Sequence, residues 1–317
     1  MSGTAAGSRF TPGARFALRL VVGVGLLVLI LSRMGLPTIG RGLGPGTLAG
    51  VFGAALLLLT GQSIAALRWK LIMGPGSPPW GYLARLYVIG GFFSLFLPTA
   101  VGGDAVRALA AARETSRTGG VVASVLLDRA MGVFAMVCYA VVAAALAPGF
   151  SRQLLDAARL KLPGKGLVLL GVALVVAVMV AVWFGRKSPQ LRQGISDAIH
   201  LIRELARTPG SLMAALALGF VVQGLYILLW LLLARAMHLP IAPLTLFFAV
   251  PVVTAFAMLP VTLNGLGVRE GAWLLLLSGS GIPQGDIVTF SLLYFAANLV
   301  TGLVGGILFM ARGLSTG

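Results

Sequence analysis

The stretch 259-LPVTLNGLGVRE-270 decides how this chain is read. Apolar sequence runs into it from Leu244 and out of it to Gly281, yet Arg269 and Glu270 stand side by side near its centre. A charge at mid-bilayer depth costs roughly 2.5–3.5 kcal/mol on insertion scales, so it is kept where it faces a partner or a wet cavity. Pro260 stops a helix, and Gly265 and Gly267 permit a turn. These residues predict the elbow of a broken helix, with Arg269 and Glu270 as an ion pair at the start of the next segment. The competing reading is a straight crossing over 244–263.

A second stretch matches the first. Residues 97-LPTAVGGDAVR-107 lie over 259-LPVTLNGLGVR-269 without a gap, at a constant offset of 162 residues. The identities are Leu97/Leu259, Pro98/Pro260, Gly103/Gly265, Val106/Val268 and Arg107/Arg269. The elbow residues are then Pro98, Gly102 and Gly103 in one copy and Pro260, Gly265 and Gly267 in the other. Six uncharged stretches reach the roughly 20 residues a crossing needs: 16–34, 42–67, 130–151 (with its start nearer Val121), 166–185, 209–234 and 287–311. The same offset carries the second onto the fifth and the third onto the sixth. The expected fold is an all-α integral membrane domain over 1–317, with about six transmembrane helices plus two re-entrant helical hairpins. Its repeat halves cover about 16–150 and 166–312. Three crossings per half make the repeat inverted in topology. Most Lys and Arg then fall on the cytoplasmic side together with both termini, with the 152–165 loop against that bias. Inverted repeats whose broken helices meet near the midplane are a transporter arrangement.

Composition agrees. Of 317 residues, 58% are hydrophobic and only 10% charged, and the mean hydropathy is +1.00. Soluble domains carry about 25% charge, so a water-soluble fold is excluded. The net charge of +16 is spread in short clusters between apolar runs, unlike a nucleic-acid face. The single cysteine, Cys138, cannot build a thiolate metal site, and His200 and His238 lack ligand spacing. No metal or cofactor is expected. No Ser/His/Asp set, HExxH or P-loop is present, and the "GLGVREG" run lacks the third glycine of a dinucleotide fingerprint. A first span that is retained is expected in place of a cleaved signal.

The few acids pair with nearby arginines in sequence: Asp104 with Arg107, Asp128 with Arg129, and Glu270 with Arg269. Asp104 and Arg107 are three apart and share a helix face, whereas Asp128 and Arg129 are helix neighbours at an expected cytoplasmic interface. The functional reading gives Asp104, Arg107, Asp128, Arg129, Asn264, Arg269 and Glu270 to a lipid headgroup, with Arg107 and Arg269 gripping a phosphate through their forks. The alternative is that the pairs brace the hairpins. Asn264 is expected to cap the helix after the elbow, Asn298 to make a helix–helix hydrogen bond, and Gly302 and Gly306 to serve close packing. Residues 188–207 space Leu191, Ile195, Ile199, Ile202 and Ala206 along one face, as an amphipathic surface helix would. Residues 151–165 are a weaker case.

Three elements together resemble a known family: Gly102, Gly103, Asp104 and Arg107; Ala123, Ser124, Val125, Asp128 and Arg129; and Gly267, Val268, Arg269 and Glu270. The chain resembles the membrane domain of lysyl-phosphatidylglycerol synthase/flippase proteins and their free-standing relatives over nearly its whole length. The resemblance implies a bacterial inner-membrane protein that moves a lipid between leaflets. That lipid is an anionic phospholipid, a glycolipid or a polyprenyl-phosphate carrier. The aminoacyl-transferase domain of the full-length relatives has no counterpart in these residues, so an enzyme is not expected. The alternative role is an enzyme or accessory subunit of lipid or envelope synthesis.

Overall fold

The computed structural model describes residues 44–96, 102–115, 118–146, 189–258, 262–277 and 279–312. The spans expected over 16–34 and 166–185, the segment 151–165, and the elbow prolines Pro98 and Pro260 lie outside the described residues. Within them the chain is helical, without a strand. The helices are α1 (Pro45–Met73), α2 (Trp80–Phe96), α3 (Gly102–Thr115), α4 (Thr118–Leu146), α5 (Pro189–Arg207), α6 (Pro209–Ala236), α7 (Pro243–Ala257), α8 (Val268–Leu277) and α9 (Gln284–Arg312). A 3₁₀ turn at Leu263–Gly265 links α7 to α8.

α1, α4, α6 and α9 are long and apolar enough to cross a bilayer, and they cover the second, third, fifth and sixth expected spans. Leu48, Phe52 and Leu56 of α1, four residues apart, are each at least 60% exposed, as are Leu303, Ile307 and Met310 of α9. Such apolar stripes face lipid. The chain is a multi-pass membrane protein. By contrast, α2 and α7 have 17 and 15 residues, about 25 and 22 Å at 1.5 Å per residue. Both fall short of the roughly 30 Å of bilayer hydrocarbon. The straight crossing considered over 244–263 is interrupted, because α7 stops at Ala257.

Packing brings distant segments together. α1 lies along α6, α2 along α9 and α7 along α4. The first helix of each short pair thus rests on the last long helix of the other half of the chain. Small residues permit this. A Cβ on Gly50 would sit 2.6 Å from that of Ala236, and Gly302 and Gly305 of α9 face Leu95 and the Val88 carbonyl of α2. Gly306 meets Phe92, so Gly302 and Gly306 do mark a close helix contact.

α5 is a helix where amphipathic spacing predicts one. Leu205 turns inward beside Ile72 and Ala215, while Ile199 and Ile202 are about half exposed and Arg203 and Arg207 point outward.

Candidate functional site

The start of α3 sits hard against α2. A Cβ on Gly103 would overlap the Gly90 carbonyl and the Ser94 hydroxyl, and one on Gly90 would come within 3.0 Å of the Gly103 carbonyl. Gly102 and Gly103, expected in the linker, form the first turn of α3 instead, and close approach is what demands glycine there. At the other elbow the demand is conformational. Gly265 and Gly267 have φ of 72° and 81°, and Asn264 has φ of 49°. That left-handed region suits Gly and Asn.

Tight seating of α3 delivers Asp104 and Arg107 to the centre of the first half. There the charges form one alternating chain. Arg68 Nε donates to Asp128 Oδ1 at 2.7 Å, and Arg107 Nη2 donates to Asp128 Oδ2 at 3.1 Å. Arg107 Nε donates to Asp104 Oδ1 at 3.0 Å, and Arg129 Nε donates to Asp104 Oδ2 at 2.6 Å. Tyr87 adds its hydroxyl to Asp128 Oδ2. The Arg107 guanidinium also lies 4.0 Å from the Tyr87 ring centre and 4.6 Å from that of Trp69. Trp69 is fixed by its indole N–H, which donates to Ser124 Oγ at 2.8 Å. Ser124, part of the family-like motif, therefore braces the site from behind.

The structure corrects the expected pairings. Asp104 and Arg107 do pair. Asp128 and Arg129 do not pair with each other, because helix neighbours diverge by about 100°. Asp128 turns to Arg68 and Arg107 and Arg129 turns to Asp104, which cross-links α1, α3 and α4. Asp128 is buried, 1% exposed. Arg269 and Glu270 form no ion pair. Glu270 accepts from the Gly267 N–H at 2.6 Å and from Ser291 Oγ at 2.7 Å. It is the third residue of α8, so the first bond is the returning half of a capping box. The cap expected from Asn264 thus comes from Glu270. Arg269 Nη2 donates to the Asn264 carbonyl at 2.6 Å, and its guanidinium lies 4.5 Å from the Tyr294 ring centre.

A cavity of about 370 Å³ lies between α1, α2, α3, α4, α6, α7 and α9, with both halves of the chain in its wall. Arg68, Asp104, Arg107, Asp128, Arg129 and Asn264 line it. Arg269 stands behind Asn264 and Tyr294, which also line it. Glu270 is turned toward its own helix start and Ser291. Asn298 lines the cavity and bonds within its own helix, to the Tyr294 carbonyl, where a bond to another helix was expected. Arg68, Arg107 and Arg269 are each at most 5% exposed, and each keeps a buried Nη1 without a partner among the described residues. Buried cationic donors of this kind can bond an anion or a water. Only Arg129, with a side chain 44% exposed, is open to solvent at the edge.

Arg68 was not singled out from the sequence. Its signal was its place directly after the uncharged run 42–67, five residues before the end of α1 and next to Trp69. Among the described residues no group of three or more His, Cys, Asp or Glu side chains is arranged to hold a metal.

The family model described as lysylphosphatidylglycerol synthase TM region matches residues 16–306, and the chain belongs to that family. Its role is therefore tied to membrane lipid. No curated protein matched the chain.

Proposed function

We propose that this protein carries an anionic lipid between the leaflets of the bacterial inner membrane, with the arginine-lined cavity as headgroup site. The observation that carries the proposal is that Arg68 and Arg107 keep buried guanidinium N–H donors without partners among the described residues, on a cavity walled by both halves of the chain. Arg68 and Arg107 hold the phosphate, with Arg269 behind the wall formed by Asn264 and Tyr294; Asp104 and Asp128 orient the guanidinium groups, and Arg129 receives the headgroup at the rim. Anionic phospholipids, phosphate-bearing glycolipids and polyprenyl-phosphate carriers all present the required group.

The architecture supports alternating access. The helix order α1, α2, α3, α4 is repeated as α6, α7, α8, α9, with lengths of 29, 17, 14 and 29 residues against 28, 15, 10 and 29. The exchanged packing of α2 on α9 and α7 on α4 is what two inverted copies give. In this reading α2–α3 and α7–α8 are re-entrant hairpins dipping from opposite faces, six helices cross, and both termini are cytoplasmic. Irregular backbone at depth is tolerated because it lines a cavity.

An enzymatic role would need Asp104 or Asp128 as a base or metal ligand, and both are already held by two arginines each. The test is reconstitution into liposomes with labelled phosphatidylglycerol or undecaprenyl phosphate, followed by dithionite or enzymatic access to the outer leaflet. Accelerated exchange that Arg107→Ala abolishes supports the proposal. Exchange at the rate of empty liposomes for every anionic lipid tried overturns it. Cysteine labelling at positions 244 and 281 tests the hairpin, since labelling from opposite faces would make 244–281 a crossing.

A further inference from the structure

The cavity has a second chemical zone. Gln62 of α1 and Gln223 of α6 line it from the central helix pair. Gln62 Oε1 and Gln223 Nε2 are buried without a partner among the described residues. One is an acceptor and the other a donor. Asn264, Asn298, Thr254 and Ser94 share the wall. Gln62 precedes Arg68 by six residues, about 9 Å along the helix axis. The Gln62 amide therefore stands about one headgroup length from Arg68 along α1, with Gln223 on the same wall.

The cavity offers little to an ammonium group. Both oxygens of Asp128 are taken by Arg68, Arg107 and Tyr87, and both of Asp104 by Arg107 and Arg129. Of the tyrosines on the wall, Tyr87 is covered by Arg107 and Tyr294 by Arg269, while Tyr226 packs edge to face against Tyr294 with ring centres 5.7 Å apart. An added ammonium would meet like charge without a free counter-charge.

Resting on the headgroup reading above, we infer that the lipid taken here carries, beside its phosphate, a neutral hydroxylated headgroup of the glycerol or sugar type rather than an amine. A hydroxyl both donates and accepts. A hydroxylated headgroup supplies a donor for Gln62 Oε1 and an acceptor for Gln223 Nε2, where an unsatisfied buried amide is penalised. A site built to bond a hydroxyl also rejects the analogue that lacks it.

The test measures equilibrium binding of dioctanoyl lipids to the full chain in detergent, by calorimetry and thermal shift. The probes are phosphatidylglycerol, phosphatidylinositol, phosphatidic acid, phosphatidylethanolamine and lysyl-phosphatidylglycerol. The expected result is binding of a glycerol or inositol headgroup about 10-fold tighter than phosphatidic acid or either amine. Which of the two binds tighter separates a polyol from a sugar. Gln62→Leu and Gln223→Leu should each erase the preference while phosphatidic acid still binds, a readout that loss of fold would not give. Saturable binding in which an amine lipid equals or exceeds the hydroxylated ones overturns the inference and leaves the phosphate site standing. Absence of saturable binding by every probe overturns both.

Discussion

The surroundings of Arg107 and of Arg269 occupy matching positions in the chain and are built from opposite chemistry. Arg68 lies 162 residues before Trp230, and Asp128 lies 162 before Phe290. In the first half, the two positions form an ion pair at 2.7 Å. In the second, they form an aromatic contact with ring centres 4.9 Å apart. Asp104 is answered by Leu266 and Arg129 by Ser291. Arg107 is held by two carboxylates, whereas Arg269 has a carbonyl and a tyrosine face. A buried ion pair is often no more stable than the apolar pair that replaces it. The second half joins its helices well with rings, through Trp230, Trp273 and Phe290. Packing alone therefore does not require Arg68 and Asp128, and their charge is what the first half adds to the cavity.

The largest break comes from removing one partner. Asp128→Ala leaves Arg68 and Arg107 buried without that counter-charge and should destabilise the fold by about 3–5 kcal/mol, read as a lowered unfolding midpoint in detergent. An unchanged midpoint would mean the charges are dispensable to the fold even singly. A double change makes the first half resemble the second. Arg68→Met with Asp128→Leu should stay within about 1–2 kcal/mol of the parent in stability, yet lower lipid exchange about 100-fold, the equivalent of about 2.7 kcal/mol. Retained exchange would show that Arg107 suffices alone. Arg269→Leu removes a cation–π contact of about 1–2 kcal/mol. Its smaller signature is exchange slowed about 10-fold with a modest midpoint change, and a fall as steep as that of Asp128→Ala would place Arg269 in a network like the first. The finest test is Glu270→Gln, which keeps the shape of the cap and loses its charge at the start of α8. A loss of about 0.5–1 kcal/mol is expected, and a loss several times larger would indicate an ionic partner for Glu270.

Much of this was legible in the sequence, though unevenly. Hydropathy and length marked α1, α4, α6 and α9, because a crossing is a one-dimensional property of a run of side chains. Amphipathic spacing gave α5 for the same reason. The elbow at 259–270 was visible because Pro, Gly and Asn act locally on φ. Charge pairing was not, apart from Asp104 with Arg107, which share one turn of one helix. Sequence neighbours seem natural partners on paper, yet Asp128 and Arg129 leave the helix in different directions and Arg269 and Glu270 turn to a carbonyl and a cap.

What the sequence determined by itself is a helical membrane chain with a glycine-rich turn before α8, since those follow from hydrophobicity, length and backbone freedom along the chain. Only the tertiary structure decided that Arg68 joins the site, that Glu270 leaves it, and that one half of the chain joins its helices through charges and the other through rings. Those outcomes depend on which helices pack together across more than a hundred residues, and on which face each one turns to the cavity.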